Sequence, residues 1–501
     1  MAITRASSNL LCRLARSLNT SASPPIINLS EKLDHPLIQN QPNITTSSSQ
    51  SMLLNFYDSH ERPFSTVSSS RLLRSLLNLE LVAIDPVVDF GMWVMKSRMV
   101  ESPVLKELVL GVIKHTFYEH FCAGESVEEA SSTLRRLWDN GLRGILDYGL
   151  EDAVDNEACD RNLDEFLNTV ESSKLLPPCS VSYACAKITA ICPIALLKRV
   201  SDLLRWEHKD PLFNLPWKMD TLPFLSNSSP FYHTLNRPDP LTSQEEQDLQ
   251  QAQQRLMTLS QKCFDMNLPL LVDAEYTLVQ PAIDYLTYSA MDRFNRDNNP
   301  IVFGTIQAYL KDARERIVMA TEAGEKNGIA VGLKLVRGAY LSSEIKLASS
   351  LGFASPIHGT IEETHSCYND CALFMLEKVA RGSAAVLLAT HNLESGRAAA
   401  SKAQALGIGK ESQRLQFAQL KGMAEGLSFG LRNAGFQVSK YLPYGPVEKV
   451  MPYLLRRAEE NRGLLSASTL DRQLMRRELV RRIKAAVMEG EVDKMRTSIN
   501  H

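Results

Sequence analysis

Near the C-terminal end of the 501-residue chain, Tyr453, Arg456, Arg457 and Glu460 stand at helical spacing, which puts all four side chains on one face. Two adjacent guanidiniums offer parallel N–H donors and can grip a carboxylate through charge-assisted, often bidentate, hydrogen bonds. The same four residues on an outer surface would form a solvated Arg/Glu face, contributing roughly a few tenths of a kcal/mol per pair. What stands beside the helix separates these readings.

A series of polar and ionisable residues falls at the ends of short β-rich segments: Glu151, Lys187, Asp273 with Glu275, Gln307 with Tyr309, and Arg337 with Tyr340. Later segments add Thr390–His391–Asn392, Gln419 and Tyr441. In a strand, residues two apart face the same side, so Asp273 with Glu275, and Gln307 with Tyr309, can point inward together. Taken singly, an acid after a strand is usually a helix cap and a histidine a satisfied structural group. At the ends of all eight segments they form a ring. Its rim carries the arginine helix, which opens near Pro446 just after the eighth segment, and this position favours the carboxylate clamp.

The β-rich segments are 143–152, 180–191, 268–276, 301–310, 331–340, 383–392, 414–423 and 437–445, separated by helical patterns. Eight such alternations predict an α/β fold, a (β/α)8 TIM-like barrel, in which catalytic groups sit at the C-terminal ends of the strands. A doubly wound sheet would usually carry a glycine-rich nucleotide loop after its first strand, and neither G-x-G-x-x-G nor G-x-x-x-x-G-K-[ST] occurs. The predicted organisation is an N-terminal helical region at 71–142, a barrel at 143–465, and a basic amphipathic tail at 466–501. An insertion at 193–267, between the second and third strands, is too long for a simple loop. It ends in a helix whose N-cap is Thr242 or Ser243, ahead of Glu245 and Glu246.

Composition is that of an ordinary globular chain, 44% hydrophobic and 22% charged. Lys+Arg 55 against Asp+Glu 57 leaves a net charge of −2, so no global cationic field points to nucleic acid. No apolar run approaches the ~18 residues needed to span a bilayer. The nine cysteines are odd in number and lack C-x-x-C spacing; Cys367 and Cys371, one helical turn apart, read as core thiols rather than a metal site. A reducing compartment follows. Residues 1–30 carry Arg5, Arg13 and Arg16, several serines and no acid, with Leu10, Leu11, Leu14 and Leu18 on one helical face. That is the pattern of a mitochondrial presequence. The polar, low-complexity stretch 31–70 is expected to be a disordered linker.

With these pieces in order, the chain resembles the proline dehydrogenase (proline oxidase) family, in its mitochondrial plant form. The resemblance rests on LVDAEYTLVQPAIDY, TIQAYL, GLKLVRGAYLSSE, ATHN, FAQLKGM and Y-x-x-R-R-x-x-E-N, and covers roughly residues 80–485. It implies a distorted barrel holding FAD noncovalently and oxidising L-proline to Δ1-pyrroline-5-carboxylate, the first step of proline catabolism to glutamate. By the same resemblance Arg456 and Arg457 bind the proline carboxylate, helped by Lys187, and Glu151 pairs with the arginine helix. Asp273, Tyr340, Leu420, Tyr441 and Tyr453 line the proline site. Gln307, Lys334, Gly338, Ala339, Thr390, His391, Asn392 and Gln419 hold the flavin or its phosphates and adenosine. No metal is required.

Two positions depart from the family pattern: Lys334 stands where bacterial relatives carry arginine, and Lys421 where an aromatic residue or histidine is common. The resemblance also implies electron transfer to ubiquinone, on the matrix side of the mitochondrial inner membrane. Leu474, Leu479, Ile483 and Val487, among six nearby basic residues of the tail, would either lie on anionic lipid or cover the barrel. The rivals are a flavin barrel with another substrate, such as a methylenetetrahydrofolate reductase relative, a hydroxyproline oxidase of the same family, and a catalytically dead proline-binding scaffold.

Overall fold

The structure, a computed structural model, describes residues 64, 67–82, 84, 86, 89, 93, 103–463 and 465–499. The presequence at 1–30 and nearly all of the linker lie outside the described residues, as does the side chain of Glu460.

Each of the eight β-rich segments contributes one strand: β1 Arg143–Tyr148, β2 Val181–Ala186, β3 Leu270–Val272, β4 Val302–Gln307, β5 Val331–Val336, β6 Ala384–Ala389, β7 Leu415–Leu420 and β8 Val438–Tyr444. They pair in sequence order, and β1 closes the barrel by pairing in parallel with β8, Ile145 opposite Tyr441. Alternation along the strands fills the interior with Ile145, Tyr183, Cys185, Leu271, Phe303, Leu387 and Tyr441. Two residues beyond Ile145 and Leu271 stand Asp147 and Asp273, so an apolar plug gives way to charge toward the C-terminal ends of the strands.

The helices, in chain order, are α1 Ser69–Val82, α2 Pro103–Ile113, α3 Val127–Trp138, α4 Asn156–Ser172, α5 Ile194–Lys209, α6 Ser243–Asp265, α7 Gln280–Phe294 and α8 Ala313–Asn327. They continue with α9 Leu341–Ser350, α10 Ile361–Ala380, α11 Leu393–Ala405, α12 Glu425–Asn433, α13 Met451–Gly463 and α14 Leu465–Ile499. The 193–267 stretch consists of α5, an irregular run and α6. Thr242 caps α6: its hydroxyl accepts from Glu245 N at 3.2 Å while the Glu245 carboxylate accepts from Thr242 N at 2.8 Å. The irregular run buries Phe213, Leu215, Leu222 and Phe224 and is pinned to the barrel helices, with Arg316 Nε donating to Phe224 O at 2.9 Å.

Two elements outside the barrel bear on the site. The helical region after α2 buries Tyr118, Phe121 and Cys122 against Val447, Val450 and Leu454, and Tyr118 donates its hydroxyl to Gly445 O at 2.8 Å. This contact seats α13, the arginine helix, against the mouth. The long α14 divides its apolar residues: Leu474 and Met475 are buried and Leu479 packs on the core, while Ile483, Val487 and Met488 are exposed. Arg472 and Arg476 both reach Glu80 of α1. No helix among the described residues is long and apolar enough to cross a membrane.

Candidate active site

Helix α13 turns Arg456 and Arg457 toward the barrel. Arg456 meets Glu151, three residues past β1, in an end-on pair: Nη1 to Oε1 at 2.9 Å and Nη2 to Oε2 at 3.0 Å. Both side chains are mostly buried. Burial alone would raise the Glu151 carboxyl, but the hydrogen bonds and charge of Arg456 hold it below its ordinary value; burial would lower the guanidinium, and Glu151 raises it instead. The end-on geometry occupies two of the five N–H donors and leaves the rest for a second acceptor. The Arg456 guanidinium carbon lies 5.6 Å from the Tyr340 ring centre, and that of Arg457, itself buried, 5.1 Å from the Tyr453 ring.

Asp273 is the hub of a second group. Its backbone N donates to Ala186 O at 3.1 Å, fixing the start of the turn after β3. Its carboxylate accepts from Tyr441 at 2.8 Å and from Cys185 at 3.1 Å, pairs with Lys334, and lies 3.6 Å from Lys187. Lys187 also faces both Asp147 oxygens at 3.4 Å. Burial would raise the Asp273 carboxyl; the two ammoniums overcome it and hold it far below the usual range. The lysines, which burial would discharge, are kept charged by their carboxylates. Lys187 and Lys334 thus stand against Asp147 and Asp273, and Arg456 against Glu151, with Arg457 buried on the same helix. Lys334 also sits 5.3 Å above the Tyr441 ring, a contact its single ammonium makes without a planar fork.

The ends of β4 to β7 form a third group. Gln307 donates to Glu275 O at 2.7 Å, and Ala339 N points to Gln307 Oε1 at 3.4 Å. Gly338 has φ +143, and a Cβ there would lie 2.6 Å from the Tyr309 ring, so only glycine lets the chain pass. Arg337 donates to Thr390 Oγ1, Ser395 Oγ and His365 Nδ1 at 2.8 to 2.9 Å and stacks on Tyr368 at 4.4 Å. No carboxylate among the described residues pairs with it. Asn392 caps α11 through Ser395 N at 2.9 Å. His391 Nε2 accepts from Leu420 N at 3.1 Å, which puts the ring proton on Nδ1; burial and the charges of Lys440 and Arg457 lower its pKa to about 3, so the ring is neutral. Gln419 donates to Thr390 O at 3.3 Å.

Among the described side chains, the strand-end residues and the two arginines singled out from the sequence therefore lie at or beside the C-terminal ends of the strands, in three groups. Two further members were missed. Asp147 and Cys185 sit inside apolar strands, and only the two-residue step from Ile145 and Tyr183 marks them as inward-facing. Arg337 was visible as a strand-end group without a role. Lys421, unexplained by sequence, donates to Glu119 O at 2.7 Å and His120 O at 2.9 Å, tying the end of β7 to the helical turn after α2.

A family model described as proline dehydrogenase matches residues 130–469. Mitochondrial proline dehydrogenase 2 of Arabidopsis thaliana is 53% identical over 427 residues, covering 85% of this chain and 90% of that one. Mitochondrial proline dehydrogenase 1 of the same plant is 50% identical over 472 residues, 94% of each. In the solved structures, proline utilization A of Bdellovibrio bacteriovorus, inactivated by N-propargylglycine, is similar in fold with a TM-score of 0.58 at 20% identity, over 80% of this chain and 42% of that one.

Glu275, buried and accepting from Thr189 Oγ1 at 2.9 and 3.1 Å, supplies a pH test. Burial pushes its carboxyl from 4.5 up to about 8. The folded chain therefore holds a proton that the unfolded chain releases, so the stabilisation is complete below 4.5 and is lost as pH rises to about 8. Glu275→Gln does not titrate. Denaturant titrations should show wild type losing on the order of 4 kcal/mol relative to this variant across that window; parallel profiles would refute the buried, protonated acid.

Proposed function

The chain belongs to the proline dehydrogenase family, and from that premise we propose that it oxidises L-proline to Δ1-pyrroline-5-carboxylate with FAD, passing the electrons to a respiratory quinone such as ubiquinone. The observation that carries this reading is the end-on Arg456–Glu151 pair at the barrel mouth, which leaves further donors on the Arg456 guanidinium, with the buried Arg457 beside it.

Residues of this chain fit the cofactor. Arg337, with only neutral acceptors, stands over the N-terminus of α11, where free backbone N–H groups and the helix dipole favour a pyrophosphate. Gly338 opens a path for close approach of the backbone, and Gln307, Lys334, Ala339, Thr390, His391, Asn392 and Gln419 surround it. When bound, FAD supplies a two-electron acceptor for the hydride that leaves the ring carbon next to nitrogen.

The chain's own part is binding and orientation. Glu151 holds the Arg456 fork in one rotamer, so its remaining donors meet the proline carboxylate without rearrangement, with Arg457 the next residue on the same helix. Lys187, already between Asp147 and Asp273, adds positive potential rather than a direct grip. Tyr340, Tyr441, Tyr453 and Leu420 wall the apolar ring and exclude water. Asp273, held far below the carboxylate range, serves as a fixed charge that orients Lys334 and Tyr441, and is a poor proton acceptor. The amine must be neutral when hydride leaves, which favours activity above neutrality.

The naming of the relatives places those proteins in mitochondria. We extend this to the present chain, with residues 1–30 as presequence, 31–70 as linker, and the barrel on the matrix side of the inner membrane. The exposed Ile483, Val487 and Met488 of α14 give the surface for peripheral contact.

Purified protein should be yellow and should bleach when L-proline is added anaerobically; a colourless protein, or one that does not bleach, would remove the assignment. Arg456→Met should weaken proline binding by about 1.5–3 kcal/mol for each charged hydrogen bond lost, with flavin content unchanged. Loss of flavin along with proline affinity would contradict the role. Replacing Ile483 and Val487 together by Glu should reduce sedimentation with vesicles of anionic phospholipid, and undiminished sedimentation would exclude this surface as the contact.

A further inference from the structure

Asp471 of the C-terminal helix α14 is 2% exposed, and its carboxylate is inserted at the start of another helix. Oδ2 accepts from Glu425 N and Oδ1 from Gly426 N, both at 2.9 Å. These are first-turn donors of α12, which have no partner within their own helix. The N-cap residue of α12, Ala424, has no side-chain acceptor and sits at φ +48, a left-handed conformation that surrounding contacts must impose. Glycine at 426 is required by the approach: a Cβ there would lie 2.7 Å from Leu474 Cδ1 and 3.1 Å from Asp471 Oδ1, both on α14.

What α12 holds lies at the end of β7. Ser428 Oγ, in its first turn, donates to Gln419 Oε1 at 2.8 Å. Glu425 is fixed twice, through its backbone by Asp471 and through its carboxylate by Lys440 at 3.1 Å. The same Lys440 donates to Met423 O at 2.8 Å and Leu420 O at 3.5 Å. Helix α14 is itself secured from the other side, through Arg472 and Arg476 to Glu80 of α1.

We propose that Asp471 is a positioning residue for proline oxidation: by capping α12 from a separate helix it sets the β7–α12 turn and thereby the placement of Gln419 and Leu420. The C-terminal helix is then a working part of the site as well as its cover. This rests on the reading that Gln419 and Leu420 line the flavin and proline sites.

The test uses the full-length flavoprotein and three variants. Asp471→Ala removes both acceptors, Asp471→Asn keeps one oxygen in the same shape, and Glu478→Gln removes the Arg481 and Arg482 pairs on the same helix without touching α12. Two quantities are read: hydrogen exchange of the amides at 425–428, and KM for proline against kcat. Asp471→Ala should raise amide exchange and KM about tenfold each, the size expected for one lost charge-assisted bond, with kcat changed much less. Asp471→Asn should give about a threefold rise in KM, a partial rescue, and Glu478→Gln none. Wild-type KM and exchange in Asp471→Ala would overturn the proposal, as would a matching KM rise in Glu478→Gln. If Asp471→Ala does not fold, Asp471→Asn decides: an intermediate KM supports the proposal and a wild-type KM overturns it. A wild-type protein that fails to oxidise proline would refute the function instead, while the exchange comparison would still report on the cap.

Discussion

The account depends on a rule of low-dielectric interiors: a charge taken from water must be met by an opposite charge in good geometry, or the group gives up its charge. At the mouth of this barrel Glu151 and Arg456 meet end-on, one carried just beyond β1 and the other on α13 after β8. Their pairing joins the first and last parts of the barrel at the place where its sheet closes. It also leaves donors of a rigid, planar cation directed at the space above the strands. Removing either partner would leave the other buried and unmatched, so geometry and charge are set together.

The rest of the mouth follows the same rule with different chemistry. Asp273 stays ionised because Lys187 and Lys334 flank it, and the two lysines stay charged because Asp273 and Asp147 face them. Glu275, which has a hydroxyl for a partner but no adjacent cation, takes up a proton instead. His391 is neutral for a related reason, being buried among cations, and its free nitrogen can then accept the Leu420 amide. Two strand ends away from Asp273, Arg337 has neutral partners alone and stays available to an anion. One barrel rim thus carries the Arg456–Glu151 pair at one place and a second cationic group, Arg337, at another, the two loci to which the proposed amino-acid substrate and phosphate-bearing cofactor are assigned.

Much of this was legible in the sequence because it depends on short-range periodicity. The eight strands announced themselves by alternation and spacing, the α6 start by Thr242 ahead of Glu245, and the arginine face by its helical spacing. The fold class and the ring of strand-end residues came from the same signals. What was not legible depends on partners distant in the chain. Lys421 satisfies carbonyls at 119 and 120, a contact that nothing near 421 encodes. Asp147 looks like an interruption in an apolar strand until Lys187 is placed next to it. The tail's Leu474, Leu479, Ile483 and Val487 read as one apolar surface for lipid or for the barrel, yet Leu474 is buried and Ile483 and Val487 are exposed, a division set by partners on distant elements.

The central claim is that the guanidinium pair on α13 recognises the carboxylate of the substrate. The most direct measurement is the ratio of dissociation constants for L-proline and L-prolinamide, which keeps the ring and amine and lacks the charge, in wild type and in Arg456→Met. The account predicts that wild type prefers proline by on the order of tenfold to a hundredfold, and that the preference largely collapses in the variant. Equal affinity for the two compounds in wild type, or an undiminished preference without Arg456, would contradict it.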